Sequence, residues 1–162
     1  MREIRGKRDC PFAWRVRVTA REKDLPFEWV VSDGKSPTLV EDGFTLTESL
    51  VIISYLDEAH PGNDLQALGA RERAMMRART CELAALEDES RVPAGYRALD
   101  RMLADGRVWL GGSKPDLSDI AIWPFLWQLD EAGQRIPAAL KLASAYWARA
   151  RERESLVSTK PR

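Results

Sequence analysis

The residue in this sequence best suited to covalent chemistry is Cys10. Pro11 follows it, and proline suits the first turn of a helix, where its missing N–H is no loss. Cys10 therefore falls at a helix start, where the helix dipole favours a thiolate over a thiol. Lys7, Arg8 and Arg15 add positive charge close by in sequence. A thiolate so placed can attack a disulfide or an electrophile. An arbitrary lone cysteine is an inert small hydrophobe; here the position argues for chemistry. Ala13 occupies the second position of a Cys-x-x-Cys pair, so a dithiol cycle within the motif is excluded. A second constellation is Glu48-Ser49, just before the apolar run Leu50, Ile53 and Leu56. Thr45 and Glu48 have capping-box spacing, which predicts a helix start there. A helix N-terminus attracts a carboxylate; Ser49 can add a hydroxyl donor, and Glu48 can accept from an ammonium. Simple capping is the competing reading of the same residues. The third element is Ser36-Pro37, an X–Pro bond for which the cis form is cheap; an ordinary trans proline at a strand start is the alternative.

Other reactive side chains read as structural. His60 is the only histidine and sits at a helix end beside Pro61-Gly62, where capping explains it. One histidine and two distant cysteines give no transition-metal constellation, so no metal is expected. Cys81 falls inside a helix and reads as structural. The Arg/Glu-rich run over residues 71–79 reads as a solvated helix face. Trp14, Trp123 and Trp127 stand at helical spacing, which favours core over a substrate pocket. Asp116 and Asp119 read as a helix N-cap with no catalytic role. The 162 residues carry 25 Lys+Arg against 25 Asp+Glu, and this zero net charge argues against nucleic acid as a partner. No stretch approaches the roughly 20 apolar residues of a membrane span, so no membrane is expected. The charged residues 1–8 lack an apolar signal core, and the two cysteines make no disulfide framework; both point to a cytoplasmic protein.

The elements that must position these groups follow from periodicity and turn signals. Residues 1–5 precede a turn and form a first short strand. Phe12, Val16 and Ala20, with Trp14 and Val18 beside them, make a helix that stops at residues 24–26. Residues 27–31 and 38–40 read as strands, Asp42-Gly43 as a turn, and 44–46 as the return strand. A helix then runs to Pro61-Gly62, giving the order β-α-β-β-β-α. Beyond residue 67 only helices are expected: 71–89, an interruption at Pro93, then 96–103, 120–129 and a last helix from Pro137 to about Glu152. The domain reading is 1–62 for the mixed unit, 68–154 for the helical unit and 155–162 for a frayed tail.

With these residues assembled, the chain resembles the glutathione transferase superfamily. The resemblance is carried by Cys10-Pro11-Phe12-Ala13, Glu22-Lys23-Asp24-Leu25-Pro26-Phe27-Glu28 and Ser36-Pro37-Thr38-Leu39-Val40. It continues through Asp42-Gly43-Phe44-Thr45-Leu46-Thr47-Glu48-Ser49, Tyr55-Leu56-Asp57-Glu58, Trp109-Leu110-Gly111-Gly112 and Pro115-Asp116-Leu117-Ser118-Asp119-Ile120-Ala121. It implies an α/β thioredoxin-like N-terminal unit followed by an all-α C-terminal unit. Cys-Pro-Phe is similar to the cysteine-type branch, the omega-like and dehydroascorbate-reductase-like members, in which the thiolate forms a mixed disulfide with glutathione. The resemblance implies that Cys10 is the nucleophile and glutathione both cosubstrate and resolving thiol. It places the γ-glutamyl end of glutathione on Glu48 and Ser49. It makes Ser36-Pro37 cis, with the Ser36 backbone pairing the cysteinyl backbone, and gives Lys35 to the glycyl carboxylate. The implied partners are a small electrophilic or disulfide substrate and a second copy of the chain, through the helix after Glu48 and the helix from Arg71. Two rival readings stand beside this one. One is conjugation, isomerisation or ether cleavage on an aromatic substrate; the other is a non-catalytic binding or assembly module.

Two segments depart from the family pattern. Between residues 31 and 37 the family has a helix with flanking loops, whereas this chain has only residues 32–36. The link must cross one strand, about 10 Å, and five extended residues reach about 16 Å, so the sheet is expected to survive. The absent helix normally supplies part of the wall around the glycyl end of glutathione. The second shortening lies between residues 89 and 103, where Pro93 and Gly95 replace much of a long helical pair and leave the second-substrate pocket shallow or open.

Overall fold

The computed structural model describes residues 1–161. Two compact units are present: Met1–Asp64 together with the last residues from Glu154, and Leu65–Arg153.

The first unit holds β1 (Arg2–Gly6), α1 (Pro11–Glu22), β2 (Glu28–Val31), β3 (Thr38–Glu41), β4 (Phe44–Thr47) and α2 (Ser49–Ala59). The sheet order is β2-β1-β3-β4. β1 runs parallel to β2 and antiparallel to β3, and β3 runs antiparallel to β4. This is the thioredoxin-like arrangement, and residues 32–37 do cross β1 to reach it. Ile4 and Leu39 pair across the central strands with no exposure, and Val16, Ile52 and Leu56 are equally buried on the helices covering them. Such a layer of helix on a half-apolar sheet is what makes the unit fold. Lys23, next after α1, donates its Nζ to Asp57 at 2.8 Å and to the Asn63 carbonyl at 3.0 Å, tying α1 to α2.

Three expectations are corrected in this unit. The capping box at Thr45 and Glu48 does not form: Thr45 lies in β4 and α2 starts at Ser49 with no side-chain cap. Cross-strand pairing of Thr45 with Val40 takes the residue into the sheet instead. His60 does end α2, but its ring pairs with Glu41 at 3.1 Å beside Arg2, while Tyr55 donates to the same carboxylate at 3.0 Å. The tail from Ser155 is not frayed. It forms α7 (Glu154–Ser158), with Leu156 fully buried and Trp14 donating its indole N–H to Thr159 Oγ1 at 3.0 Å. Arg162, the last residue of that tail, lies outside the described residues.

The second unit contains α3 (Ala70–Leu83), two short 3-10 turns (Ala84–Glu87 and Glu89–Arg91), α4 (Val92–Met102), α5 (Leu117–Glu131) and α6 (Lys141–Ala150). The helix expected over 71–89 stops at Leu83. Pro93 opens α4 rather than interrupting it, because its missing N–H is harmless in a first turn. Gly95 lets α4 approach the preceding turn; a Cβ there would lie 2.7 Å from Leu86 Cδ2. The last long helix starts at Lys141, after Pro137 has closed a turn with the Leu140 N–H. Trp123 is fully buried as expected, whereas Cys81 is exposed on α3 rather than part of the core.

Asp116 and Asp119 form the expected capping box on α5. Asp119 is fully buried, and its oxygens accept from the Leu110, Gly111 and Asp116 N–H groups at 2.9 Å and from the Tyr146 hydroxyl at 2.7 Å. Burial and the neighbouring Asp116 charge push its carboxyl up to about 7, and the converging donors oppose that rise.

Candidate active site

The sheet topology of the first unit gathers the chemistry-bearing residues at one end. Gly6 closes β1 opposite Val31 at the end of β2, Thr38 opens β3 opposite Arg5, and Thr47 closes β4 opposite Thr38. The loops leaving that edge carry Cys10, Ser36-Pro37 and Glu48-Ser49. Residues far apart in sequence thus meet because β1, β2 and β4 run towards this end of the sheet and β3 runs away from it.

Cys10 is the N-cap of α1, half-buried, and Pro11 stands in the first turn. Its carbonyl accepts from the Trp14 N–H at 2.9 Å, and its own N–H donates to the Lys7 carbonyl at 3.2 Å, so a tight turn presents the residue. No side chain caps the helix, and the first amides of a helix have no partner within it. The start of α1 therefore offers N–H groups and partial positive charge at the sulfur.

The Ser36-Pro37 bond is cis. Ser36 turns its hydroxyl to the other loop, where Oγ accepts from the Lys7 N–H at 3.0 Å. Gly6 makes this approach possible: a Cβ on it would stand 2.4 Å from Ser36 Oγ and 3.0 Å from the Ala13 Cβ. Thr38 Oγ1 donates to the Lys35 carbonyl at 2.8 Å and fixes the turn behind. The five-residue crossover thus brings the proline loop directly against the loop that presents Cys10.

Glu48 is the N-cap of α2 and lies in the left-handed region, at φ 70°. Non-glycine residues pay for that conformation. Its side chain projects outward and pairs with Lys35 Nζ at 2.8 Å, both groups being largely exposed. Ser49 is buried at the first turn of α2, whose start also lacks a side-chain cap. A carboxylate oxygen, a lysine ammonium, a serine hydroxyl and uncapped helix amides therefore stand together at the end of the sheet from which the Cys10 loop also leaves. Such a set has the charges to bind a zwitterionic amino-acid head.

Of the charges expected beside Cys10, Arg15 turns elsewhere and holds its guanidinium 5.1 Å over the Phe12 ring. Sequence reasoning passed over Gly6, Arg17 and Trp29. Arg17 is buried in α1 with its guanidinium 4.3 Å over the Trp29 ring, and the far edge of Trp29 lies against Gly6. The signal was available: Cys10, Ala13 and Arg17 share one helix face. Among the described residues no group of His, Cys, Asp and Glu is arranged to hold a metal ion, and no helix is long and apolar enough to cross a membrane.

Comparison with known proteins bears on the same residues. The sequence matches the family model described as Glutathione S-transferase, N-terminal domain, over residues 5–64, and the one described as Glutathione S-transferase, C-terminal domain, over residues 70–152. A maleylacetoacetate isomerase of Dictyostelium discoideum is 37% identical over 84 residues, covering 40% of this chain and 38% of that protein. This chain thus spans well under half the length of that relative. A probable glutathione S-transferase GSTU1 of Oryza sativa subsp. indica is 30% identical over 157 residues, covering 71% of this chain and 68% of its own. The crystal structure of a glutathione S-transferase from Methylobacillus flagellatus KT with GSH bound superposes with a TM-score of 0.84 at 22% identity, covering 100% of both chains. That likeness is one of fold.

Proposed function

The chain belongs to the glutathione transferase superfamily, and on that premise we propose that it is a cysteine-type, glutathione-dependent thiol transferase. The observation that carries the reading is Cys10 at an uncapped helix start, at the same end of the sheet as the loops of Ser36-Pro37 and Glu48-Ser49. The Ser36 backbone would pair with the cysteinyl unit of glutathione. The amides at the start of α2 and Ser49 would take the γ-glutamyl carboxylate, and Glu48 its ammonium. Glu48 holds Lys35 in the free protein; binding would exchange that partner for the ligand ammonium and free Lys35 for the glycyl carboxylate. In the reaction the Cys10 thiolate attacks the glutathione sulfur of a mixed disulfide between glutathione and a substrate thiol. A Cys10–glutathione bond forms, and the substrate thiol leaves as thiolate with the electron pair. A further glutathione thiolate then attacks the glutathione sulfur of the adduct and releases Cys10 as thiolate. Two free cysteines fit a reducing, cytoplasmic setting. Exposed Phe44, Leu50 and Val51 support self-association through β4 and α2.

Mass spectrometry after incubation with oxidised glutathione tests this. A mixed disulfide on Cys10, absent from Cys10→Ser, is expected. Full reductase activity in Cys10→Ser, or no calorimetric response to millimolar glutathione, would overturn it. A second reading, glutathione-dependent isomerisation, is favoured by the likeness to a maleylacetoacetate isomerase. It requires turnover of maleylacetoacetate that persists in Cys10→Ser.

A further inference from the structure

Arg17 lies seven residues beyond Cys10 on α1. At 3.6 residues per turn this returns it to within about 20° of the same face, whereas Arg15 falls about 140° away. Helical side chains lean toward the N-terminus, so the Arg17 head group reaches back along the face that ends at Cys10. Only 5% of Arg17 is exposed. Its guanidinium lies 4.3 Å over the Trp29 ring, and Trp29 Cη2 would stand 3.3 Å from a Cβ on Gly6, at the point where Ser36 Oγ also approaches. Stacking therefore fixes the cation beneath the two loops of the site. Its Nε and Nη2 are buried and have no hydrogen-bond partner.

A buried guanidinium with two nitrogens left without an acceptor costs stability. Burial lowers Arg17 to about 10, and the charge of Cys10 acts in the opposite sense. We propose that Arg17 is a positioning residue for Cys10, its guanidinium holding the sulfur as thiolate both when it attacks and when it is expelled. This rests on Cys10 being the nucleophile of the proposed reaction. Forming the mixed disulfide removes the negative charge from the Cys10 sulfur and leaves Arg17 alone again. Expulsion of the Cys10 thiolate, with its electron pair, restores the charge facing the guanidinium. Arg17 therefore favours the resolving step as well as the attack.

The test measures the thiol directly, without glutathione. In a Cys81→Ser background, which leaves Cys10 as the one thiol, the rate of alkylation by iodoacetamide is followed against pH for the parent, Arg17→Met and Arg17→Lys. Arg17→Met is expected to move the midpoint of the profile up by about one pH unit, with about a tenfold slower reaction below that midpoint. The rates should converge at high pH. Arg17→Lys should retain most of the parent profile, because the charge is kept. Arg17→Met should melt no lower than the parent, since an unpartnered buried charge gives way to an apolar side chain. Should Arg17→Met fail to fold, Arg17→Gln provides the same comparison. A folded Met or Gln variant with an unchanged profile, or Met and Lys variants that behave alike, would overturn the proposal. A shifted profile in a protein that forms no adduct with oxidised glutathione would uphold Arg17 and reject the transferase reading.

Discussion

Replacing Asp119 by asparagine tests whether the buried carboxylate at the start of α5 holds the helical unit together. Each oxygen of Asp119 serves two donors: Oδ1 takes the Leu110 N–H and the Tyr146 hydroxyl, and Oδ2 takes the Gly111 and Asp116 N–H groups. Asparagine keeps one oxygen and turns two N–H donors toward the other pair. With the oxygen kept on Gly111 and Asp116, the Leu110 N–H is left facing a donor. Tyr146 must then accept from the new amide while it already accepts from Trp123 Nε1 at 2.8 Å. An orphaned buried donor costs about 1–3 kcal/mol, and the surviving bonds fall from charge-assisted to neutral strength. Asp119→Asn is therefore expected to cost about 3 kcal/mol, and Asp119→Ala, which removes every acceptor, about 4–5 kcal/mol. In a chain of this size 3 kcal/mol lowers Tm by about 6–12 °C. Urea unfolding followed by tryptophan fluorescence at pH 8, above the value of about 7 for this carboxyl, reads the difference. The alkylation rate of Cys10 in the folded variant should match the parent, since Asp119 belongs to the other unit. An Asp119→Asn variant within 1 kcal/mol of the parent would refute the four-donor account.

Lys23→Met removes the cation that faces Asp57 and should cost about 3–5 kcal/mol in urea unfolding, because a carboxylate loses its buried partner. Adding Asp57→Leu should recover most of that loss; a double variant no better than the single would refute the pairing. Burial works to raise the Glu41 carboxyl, but hydrogen bonds from His60 and Tyr55 and the Arg2 charge outweigh it and hold it below the usual carboxylate range. A depressed acid stabilises the fold above its unfolded value, near 4.5, and that contribution is lost as pH falls through the lower folded value. Thermal melts from pH 7 down to pH 3 should therefore show a smaller acid loss in Glu41→Gln than in the parent; parallel curves would show that Glu41 carries no such linkage.

The elements legible in the sequence were those fixed by local rules. Pro11 placed the start of α1 behind Cys10, Asp116 and Asp119 marked α5, and Asp42-Gly43 gave the β3–β4 turn with positive φ at both residues. Misread boundaries were places where cross-strand pairing or a distant partner won. Thr45 has the chemistry of a cap, but its pairing with Val40 commits it to β4 and moves the helix start to Ser49. The last residues have no strong periodicity, and only the buried Leu156 and the Trp14–Thr159 hydrogen bond reveal why they fold. Local patterns cannot show such contacts, because the partner lies more than a hundred residues away in the chain.

The candidate site was legible to a different depth. Cys10, Ser36, Pro37, Glu48 and Ser49 could be singled out because each has a side chain or backbone suited to a ligand. Their meeting at one end of the sheet then follows from strand order together with direction, since β1, β2 and β4 end there and β3 starts there. Arg17 could not be singled out in the same way, because five arginines lie within residues 1–17 and sequence distance ranks Arg8 and Arg15 ahead of it. Arg15 is buried as well. What separates Arg17 from it is the helix face that ends at Cys10 and the stacking of its guanidinium on Trp29 of the neighbouring strand, with Nε and Nη2 left without a hydrogen-bond partner. The five-residue crossover sharpens the point. With only residues 32–36 between β2 and the cis proline, the Ser36 hydroxyl reaches the Lys7 amide across Gly6. On the proposed reading, affinity at the glycyl end would come from Lys35 and the loop itself, whereas the electrostatics at sulfur would depend on α1 and β2, which the shortening leaves whole. On that reading, loss of glutathione affinity and loss of thiol reactivity are separable.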